Sequence, residues 1–377
     1  MLRVSRRHSM LNVVVVAGGT GGHVYPAYRV ACLLAERGCN VFFMTDKRGS
    51  RYLHGVPYFP VTMVRDVRYR QLFDMPLFII RLGVSCLQSF ILLWRWRVRR
   101  VIAFGGYVSL PCMAMGWLLG CRLFAHEQNA RMGRVNRWCL PYIDGMALGF
   151  AETDGMARRY VGKTRHTHHV VRQDIIEAQE RGDTHRHDGE KLTILVVGGS
   201  QGASVFSSLI PQALSHLTRE ERHRVVVMQQ CLSDQLTSLR QRYHRLGVDA
   251  SLSPFFNDMG KLLALADMAI SRAGASIIGE LLITKTPALF IPYPFAQDNH
   301  QHANAMRVQA WGGAWLYEQS DVAISHKIGE TLRHVLGNPQ RLKAMSSCLA
   351  PHATPHAGEH IVDMLLACVG HEGGTPS

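Results

Sequence analysis

The sequence has 377 residues, of which 47% are hydrophobic and 19% charged, so it is long enough for two domains with filled cores and does not resemble a disordered chain. Its formal net charge of +14 indicates an anionic partner, namely nucleic acid, an anionic membrane surface or a phosphorylated substrate, although a generally basic surface that aids solubility explains the charge equally well. The nine cysteines have no CxxC or zinc-type spacing, which favours a reducing, cytoplasmic compartment.

The chain opens with a predicted strand at residues 13–16, a glycine loop at 18–22 and a helix at about 26–37. A second strand is predicted at 41–44. Such a strand–helix–strand unit requires a parallel sheet. Basic residues and an apolar run near the N-terminus could suggest a signal peptide, but the run leads directly into the glycine loop, so we interpret it as a strand.

Residues 75–94 are mostly apolar and are long enough to cross a bilayer. Arg81 makes insertion costly, by roughly 2.5–3.5 kcal/mol. The arginines between residues 95 and 100 suit a helix that lies on an anionic membrane surface. We therefore favour a surface-attached or partly buried helix over a membrane span.

Two polar segments separate this region from the next apolar pattern. His126-Glu127-Gln128-Asn129 follows a predicted strand at 122–125, and four polar residues there predict a substrate-binding shelf. Residues 166–190 are polar and rich in histidine, and we interpret them as a linker. Metal binding is the weaker alternative, because no carboxylate or cysteine stands at a suitable spacing.

The opening pattern restarts after residue 190, with a strand at 192–197, a glycine loop at 198–202, a helix from 203 to about 217 and a strand at 225–228. Two such starts predict two doubly wound α/β domains. A third loop, at 271–276, leads into a helix that bears Glu280. A carboxylate beside a phosphate loop can accept both hydroxyls of a ribose, although a solvated helix glutamate is the alternative.

Glycine loops at strand-to-helix turns predict phosphate binding, because backbone N–H groups and a helix N-terminus favour negative charge. The signal is weak by itself, since such loops also serve helix–sheet packing, and Asp46 is only a loose candidate for a ribose carboxylate. His23 strengthens the prediction: an imidazole at a helix N-terminus is disfavoured as a cation and can act as a general base, or it can simply hydrogen-bond the loop. The sequence contains no Asp-x-Asp motif, which disfavours a metal-dependent nucleotide-sugar site.

Taken together, these residues closely resemble the MurG family, which transfers N-acetylglucosamine from UDP-GlcNAc to undecaprenyl-pyrophosphoryl-MurNAc-pentapeptide and so converts lipid I to lipid II. The resemblance runs from about residue 11 to 340. The matching stretches are GGTGGHVYPA (18–27), FGGYVSLP (104–111), HEQNARMGRVN (126–136) and GGSQGA (198–203), with SRAGAS…GE (271–280) and DNHQHANA (298–305) matching with gaps.

The resemblance implies two Rossmann-like domains with a cleft between them, the GT-B class of glycosyltransferases. Residues 1–165 would bind lipid I and associate with the membrane, 166–190 would link the domains and 191–350 would bind UDP-GlcNAc. In residues 351–377, a C-terminal helix would return to the first domain and a tail would follow it. The enzyme would be peripheral at the cytoplasmic face of the inner membrane and act in peptidoglycan synthesis. Its implied partners are UDP-GlcNAc, lipid I, an anionic membrane surface and other cell-wall and division proteins, with no nucleic acid, cofactor or metal.

The resemblance also assigns residues to an inverting displacement at the MurNAc 4-hydroxyl, with His23 as the base. The implied donor-binding residues are Thr20, Gly21, Gly22, Asn129, Arg172, Ser200, Gln201, Phe256, Ala275, Glu280, His300 and Gln301. The implied acceptor-binding residues are Gly19, Thr20, His23, Tyr107, His126, Glu127 and Asn129.

The sequence departs from the family in three places. His169-Val170-Val171-Arg172 replaces the usual Asn-Pro-Val-Arg, and Ile277 replaces a threonine; both predict weaker donor binding. The histidine-rich linker is the third departure. Alternatives are another B-type transferase or a UDP-GlcNAc epimerase, which would need no membrane-facing segment; a basic nucleic-acid-binding protein, for which no motif is present; and a catalytically silent scaffold.

Overall fold

The structure is a computed structural model that describes residues 10–53, 59–64, 75–181, 191–256 and 258–367; for residues 75–78 and 199–203 it describes the backbone alone. The strands are β1 (Asn12–Val16), β2 (Asn40–Thr45), β3 (Val61–Met63), β4 (Arg100–Ala103), β5 (Arg122–Glu127), β6 (Gly145–Leu148), β7 (Thr164–His166), β8 (Leu192–Val197), β9 (Val225–Gln230), β10 (Asp249–Ser253), β11 (Met268–Ser271), β12 (Ala288–Phe290) and β13 (Ala314–Leu316). The helices are α1 (Gly21–Glu36), α2 (Met75–Arg95), α3 (Ser109–Leu118), α4 (Arg134–Cys139), α5 (Gln173–Glu180), α6 (Gly199–Ser215), α7 (Arg219–His223), α8 (Leu236–Leu246), α9 (Met259–Leu265), α10 (Ala275–Thr284), α11 (His300–Ala310), α12 (Ile324–Gly337), α13 (Gln340–Leu349) and α14 (Ala357–Ala367).

The chain divides into two compact units. The first comprises the described residues of Met1–Gln128, Met132–Val170 and His356–Ser377. The second comprises those of Asn129–Arg131 and Val171–Pro355. The two predicted doubly wound α/β domains are confirmed.

The first unit is built on a parallel sheet with strand order β3-β2-β1-β4-β5-β6-β7. Alternate side chains of β1 enter two separate cores, as the period of a strand requires. Val13 and Val15 belong to the core that also contains residues of α1 and α14. Val14 and Val16 belong to the core that contains residues of α3. The order reverses at β1 and β4, which is where ligands bind in open α/β sheets.

The second unit repeats this arrangement, with parallel strands in the order β10-β9-β8-β11-β12-β13. Ile194 and Val196 of β8 pack with Phe206 of α6 and Ile328 of α12 in one buried core. The reversal of strand order lies between β8 and β11, so the loops that follow these two strands lie at the ligand-binding edge.

Helix α14 belongs to the first unit, although more than 180 residues of the second unit precede it in the chain. Its Ile361 and Leu365 are buried in the same core as Leu34 of α1. Arg29 and Glu359 form an ion pair at 3.4 Å between these two helices. The buried apolar contacts dominate the docking of α14, because a partly exposed ion pair contributes about 1 kcal/mol or less.

Helix α2 has one buried and one exposed side. Ser85, Ser89 and Leu93, four residues apart, are buried, whereas Leu87 and Ile91 are exposed. Of the two expected arrangements, the burial of these residues agrees with a partly buried helix. Among the described helices, none combines the length and hydropathy needed to cross a membrane.

Within residues 166–190, predicted to be a linker, the boundary between the two units falls after Val170, and the described part also contains regular structure. His166 ends β7, and Ile175 and Ile176 of α5 are buried. Only one side of α5 is apolar, and the polar residues on its other side gave the segment its linker-like composition. His185 and His187 lie outside the described residues.

Two helices begin earlier than the sequence predicts. Helix α1 begins at Gly21, with Pro26 inside it, and α6 begins at Gly199. The amides of a first helical turn need no helical acceptor, so glycines that suggest a loop can form that turn and keep their N–H groups directed at a ligand.

Candidate functional site

The turn between β1 and α1 forms the first part of the candidate site. Gly19 has a positive φ of 86°, and Thr20 has the extended backbone of an N-cap residue. The first turn of α1 contains Gly21, Gly22 and His23 and has no acidic residue. Its backbone amides therefore offer a site for an anion.

A second glycine turn, after β4, packs directly against the first. Gly105 and Gly106 have φ values of 93° and 82°. A Cβ on Gly106 would lie 3.0 Å from the carbonyl oxygen of Gly18, and one on Gly105 would lie 3.1 Å from the ring of His23. Only glycine fits at these positions, which explains the FGGY sequence. Tyr107 follows and is half-buried.

His23 is oriented by the backbone of the glycine turn. Its Nδ1 lies 3.2 Å from the carbonyl oxygen of Gly18 and 3.5 Å from Oγ1 of Thr20. Because a carbonyl oxygen only accepts, Nδ1 donates, and the lone pair of the neutral ring is on Nε2. The ring therefore hydrogen-bonds the loop, which is one of the two possibilities raised by the sequence, and the tautomer that this bond selects has Nε2 as its basic nitrogen.

Asp46 holds the same turn in place. Its side chain is only 2% exposed, and Oδ1 accepts hydrogen bonds from the amides of Gly19 at 3.1 Å and Gly49 at 2.7 Å. The structure thus gives Asp46 a structural role in the loop, which replaces the earlier suggestion that its carboxylate binds a ribose. The sequence offered no signal for this role, since it depends on contacts between separate turns.

The expected substrate shelf at residues 126–129 is wrong for its first two members. Strand β5 extends to Glu127, and the side chains of His126 and Glu127 are buried. Burial lowers the pKa of His126 to about 3, and nearby His169 and His23 lower it further. Glu127 accepts from the amide of Gly133 at 2.8 Å and from Nδ2 of Asn136 at 2.9 Å. These residues shape the following turn instead of lining a surface.

The second unit contains a buried acid at its candidate site. Glu280, on α10, has a side chain that is 12% exposed and lies 3.3 Å from Nε of Arg172. Burial raises the pKa of Glu280 to about 7, although Arg172 opposes the increase and Asp174 adds to it. A carboxyl group with such a pKa changes charge near neutral pH and is typical of a functional site.

Three helix N-termini in the second unit follow strands of its sheet. Helices α6, α10 and α11 begin at Gly199, Ala275 and His300, after β8, β11 and β12 respectively. The carboxyl ends of parallel strands lie at one edge of a sheet, so these N-termini supply amides suited to phosphate groups. The side chains of Ser200 and Gln201 lie outside the described residues.

The start of α11 has an unusual backbone. Asp298 and Asn299 both have positive φ values, 52° and 54°. Such residues are uncommon outside glycine and tend to cluster at functional sites. His300 Nδ1 lies 2.7 Å from the carbonyl oxygen of Gln297, and Gln301 Oε1 accepts from the amide of Tyr293 at 2.9 Å. These bonds fix both side chains predicted to contact a sugar.

Asn304, also on α11, was not among the predicted site residues. Its side chain is fully buried, donates from Nδ2 to Asn129 Oδ1 and to the carbonyl of Ala273, both at 3.1 Å, and accepts from the amide of Ala130 at 2.8 Å. Asn304 thereby attaches residues 129–131 to the second unit. The only sequence signal was its place in the DNHQHANA stretch.

Arg272 lies in a predicted phosphate loop, but its side chain makes contacts within the protein. It is buried and donates to the carbonyls of Ile291 at 2.8 Å and Pro292 at 3.0 Å, and its guanidinium lies over the rings of Phe206 and Tyr293. Of the other predicted residues, Phe256 is half-buried and Thr20 is exposed. Within the described part of the chain, no group of three or more His, Cys, Asp or Glu residues could hold a metal ion.

Comparisons with known proteins agree with this geometry. Residues 13–148 match the glycosyltransferase family 28 N-terminal domain, and residues 193–361 match the glycosyltransferase family 28 C-terminal domain. The chain is 35% identical to the UDP-N-acetylglucosamine--N-acetylmuramyl-(pentapeptide) pyrophosphoryl-undecaprenol N-acetylglucosamine transferase of Paramagnetospirillum magneticum, over 96% of this chain and 98% of that protein. It is also 35% identical to the protein of the same name from Agrobacterium fabrum, with 94% of each chain covered.

Solved structures give the same result. The crystal structure of Acinetobacter baumannii MurG matches with a TM-score of 0.77 and 26% identity, over 95% of this chain and 99% of that one. A UDP-N-acetylglucosamine 2-epimerase also matches, with a TM-score of 0.64, but its 14% identity indicates a shared fold alone.

Replacement of Asn304 by alanine is expected to release residues 129–131. The change leaves the Ala130 amide without its acceptor, which costs about 1–3 kcal/mol of unfolding free energy. Hydrogen exchange measured by mass spectrometry should accelerate at residues 129–131, whereas Gln309→Ala, an exposed change on the same helix, should leave exchange there unaltered. Unchanged exchange in Asn304→Ala would contradict the role of Asn304.

Proposed function

Because the chain belongs to the MurG family of glycosyltransferase family 28 and transfers N-acetylglucosamine from UDP-GlcNAc to lipid I, we propose that its first unit binds the lipid-linked acceptor and its second unit binds the nucleotide sugar. The expectations of family, fold class and activity are thus confirmed, whereas the residues assigned below are our proposal. The observation that carries it is the orientation of His23 by the Gly18 carbonyl.

In the acceptor site, the amides of the first turn of α1 bind the pyrophosphate of lipid I, whereas the Gly19 amide donates to Asp46 and so positions the loop before that turn. Thr20 and Tyr107 contact the acceptor beside them. This assignment is supported by the absence of acidic residues from that first turn and by the exposure of Thr20. Asn129, whose side-chain oxygen accepts a hydrogen bond from Asn304, contacts a substrate sugar. His126 and Glu127 contribute through the turn that they support, because their side chains are buried.

In the donor site, Glu280 accepts hydrogen bonds from the ribose hydroxyls. Ser200, Gln201 and the N-termini of α6 and α10 bind the pyrophosphate, and the chain near Phe256 contacts the uracil. His300 and Gln301 reach the hydroxyls of the N-acetylglucosamine. The assignment is supported by the burial of Glu280 and the raised pKa of its carboxyl group.

Of the two family departures expected to weaken donor binding, Ile277 lies on α10 in the second unit, whereas His169 lies in the first unit. Arg172 is the residue of the His169–Arg172 segment that matches the family. Its ion pair with Glu280 supports a role in holding the carboxylate that binds the ribose. His169 stands where the family usually has asparagine. Its ring is buried against Phe150, and its Nε2 lies 3.1 Å from the carbonyl oxygen of Gln128. Ile277 removes a hydroxyl donor from α10.

The transfer is a direct, inverting displacement. Nε2 of His23 takes the proton of the MurNAc 4-hydroxyl as its oxygen forms a bond to the anomeric carbon of the donor sugar. The bond from that carbon to the β-phosphate breaks, and UDP leaves with its negative charge stabilised by backbone amides at helix N-termini.

The exposed side of α2 attaches the enzyme to the cytoplasmic face of the inner membrane. Its exposed apolar side chains, which are half to about two-thirds exposed, are Ile79, Ile80, Leu87, Ile91 and Trp94. The arginines at positions 81, 95, 97 and 99 are also exposed, whereas Arg100 is buried. An apolar side flanked by arginines is typical of helices that lie in the headgroup region of anionic membranes.

Replacement of His23 by alanine is expected to lower kcat by about 10²- to 10⁴-fold, because the variant loses a general base. The measurement is transfer of labelled N-acetylglucosamine to a short-chain lipid I analogue, with UDP binding by calorimetry as the check on the donor site. His244→Ala, an exposed histidine of the second unit, is the control. A near-normal kcat in the His23 variant would show that another group acts as the base.

The affinity for UDP-GlcNAc is expected to rise with pH. Below about pH 7 the Glu280 carboxyl is protonated in the ligand-free protein, and only the carboxylate accepts both ribose hydroxyls. Binding that requires the ionised form predicts an apparent Kd about tenfold higher at pH 6 than at pH 8. Glu280→Gln should bind more weakly at pH 8 and show no such dependence. An equal pH dependence in the variant would show that another group titrates.

Membrane binding is expected to depend on the exposed side of α2. The double variant Ile91→Glu/Trp94→Glu should bind vesicles of anionic phospholipid at least about tenfold more weakly, because two apolar side chains can no longer enter the membrane. The control, Leu232→Glu/Val322→Glu, makes the same charge change at exposed apolar residues of the second unit. Equal binding by both double variants would contradict the assignment.

A further inference from the structure

The turn after β2 brings an arginine to the acceptor loop. A short 3₁₀ turn at Gly49–Tyr52 follows β2, and Arg48 immediately precedes it. Its Nη2 lies 3.3 Å, and its Nη1 3.6 Å, from the point that a Cβ on Gly19 would occupy. The guanidinium therefore lies beside Gly19, shortly before the helix turn to which the acceptor pyrophosphate is assigned.

The buried carboxylate of Asp46 fixes the position of this guanidinium. Nη2 of Arg48 pairs with Oδ2 of Asp46 at 3.2 Å, while Oδ1 of the same carboxylate holds the amides of Gly19 and Gly49. Asp46 is 2% exposed, whereas the side chain of Arg48 is 42% exposed. One buried carboxylate thus sets the position of the loop amides and of the arginine together.

Glycine at position 49 makes the arrangement possible. A Cβ there would lie 2.1 Å from Oγ1 of Thr45 and 3.2 Å from Oδ1 of Asp46. A larger residue would push the turn away from the carboxylate and take Arg48 with it. The sequence Thr-Asp-Lys-Arg-Gly at 45–49 therefore builds this contact.

We infer that Arg48 is a ligand of the acceptor pyrophosphate and that Asp46 is its positioning residue, an inference that rests on the proposed acceptor site. A guanidinium has five N–H donors in a planar fork, so it can pair with Asp46 and bind a phosphate oxygen at once. Asp46 also reduces the conformational freedom that Arg48 loses on binding. The chemistry recognised is a pyrophosphate diester dianion next to the first sugar of the acceptor.

The inference is tested with two acceptors: a short-chain lipid I analogue, and the same MurNAc-pentapeptide with a neutral alkyl group in place of the pyrophosphate and lipid. With saturating UDP-GlcNAc, Arg48→Ala should lower kcat/KM for the pyrophosphate acceptor by about 10- to 100-fold, as expected for one lost charge-assisted hydrogen bond. For the neutral acceptor, kcat/KM should change by less than about twofold. Arg48→Lys should lie between wild type and alanine, since it keeps the charge and loses the fork.

Asp46→Asn tests the positioning role. It keeps an oxygen for the loop amides but removes the charge that holds Arg48, so it should selectively raise KM for the pyrophosphate acceptor while kcat and UDP binding stay near wild type. Arg51→Ala, which removes an exposed arginine three residues away, is the control and should leave both acceptors unaffected.

Equal losses of kcat/KM with both acceptors in Arg48→Ala, or no loss with either, would overturn the role of Arg48. Normal transfer by the wild-type enzyme would leave the proposed function intact in that case. A wild-type enzyme that transfers to neither acceptor, yet binds UDP, would instead refute the proposed acceptor site and this inference with it.

Discussion

The candidate site of the first unit depends on the contact between two glycine turns. The doubly wound topology places β1 beside β4, so the turns that follow them meet at one edge of the sheet. With a side chain at Gly106 the Gly18 carbonyl would have to move, and with one at Gly105 the His23 ring would have to move. The absence of both side chains lets Gly18 orient the imidazole, and the proposed base depends on that orientation.

The two units use the same topology for different electrostatics. In the first, loop amides and an arginine surround the proposed pyrophosphate site, and the buried carboxylate of Asp46 keeps both in position. In the second, Glu280 is buried next to Arg172, and its carboxyl group has a pKa of about 7. A ligand that donates two hydroxyls to this carboxyl group would favour its ionised form, so nucleotide binding and ionisation are coupled.

Sequence periodicity was sufficient to predict both domains, because buried parallel strands such as Leu192–Val197 are nearly continuous apolar runs that lead into glycine loops. It could not predict which polar residues are buried. His126 and Glu127 look like an exposed shelf, and only the strand pairing of β5 with β6 shows that they lie in the core. Asp46 and Asn304 act through contacts with residues distant in sequence, for which local patterns carry no signal. Within the segment predicted to be a linker, the composition did not indicate α5, because this helix is polar on one side.

The tautomer of His23 tests the central claim most directly. Nitrogen chemical shifts of ¹⁵N-histidine-labelled enzyme, assigned with a His23→Asn variant, report which ring nitrogen carries the proton once the ring is neutral. A proton on Nδ1, with Nε2 unprotonated, is the predicted result, because Gly18 accepts from Nδ1. A proton on Nε2 would contradict the account, since the ring could then neither donate to Gly18 nor accept the acceptor's proton at Nε2.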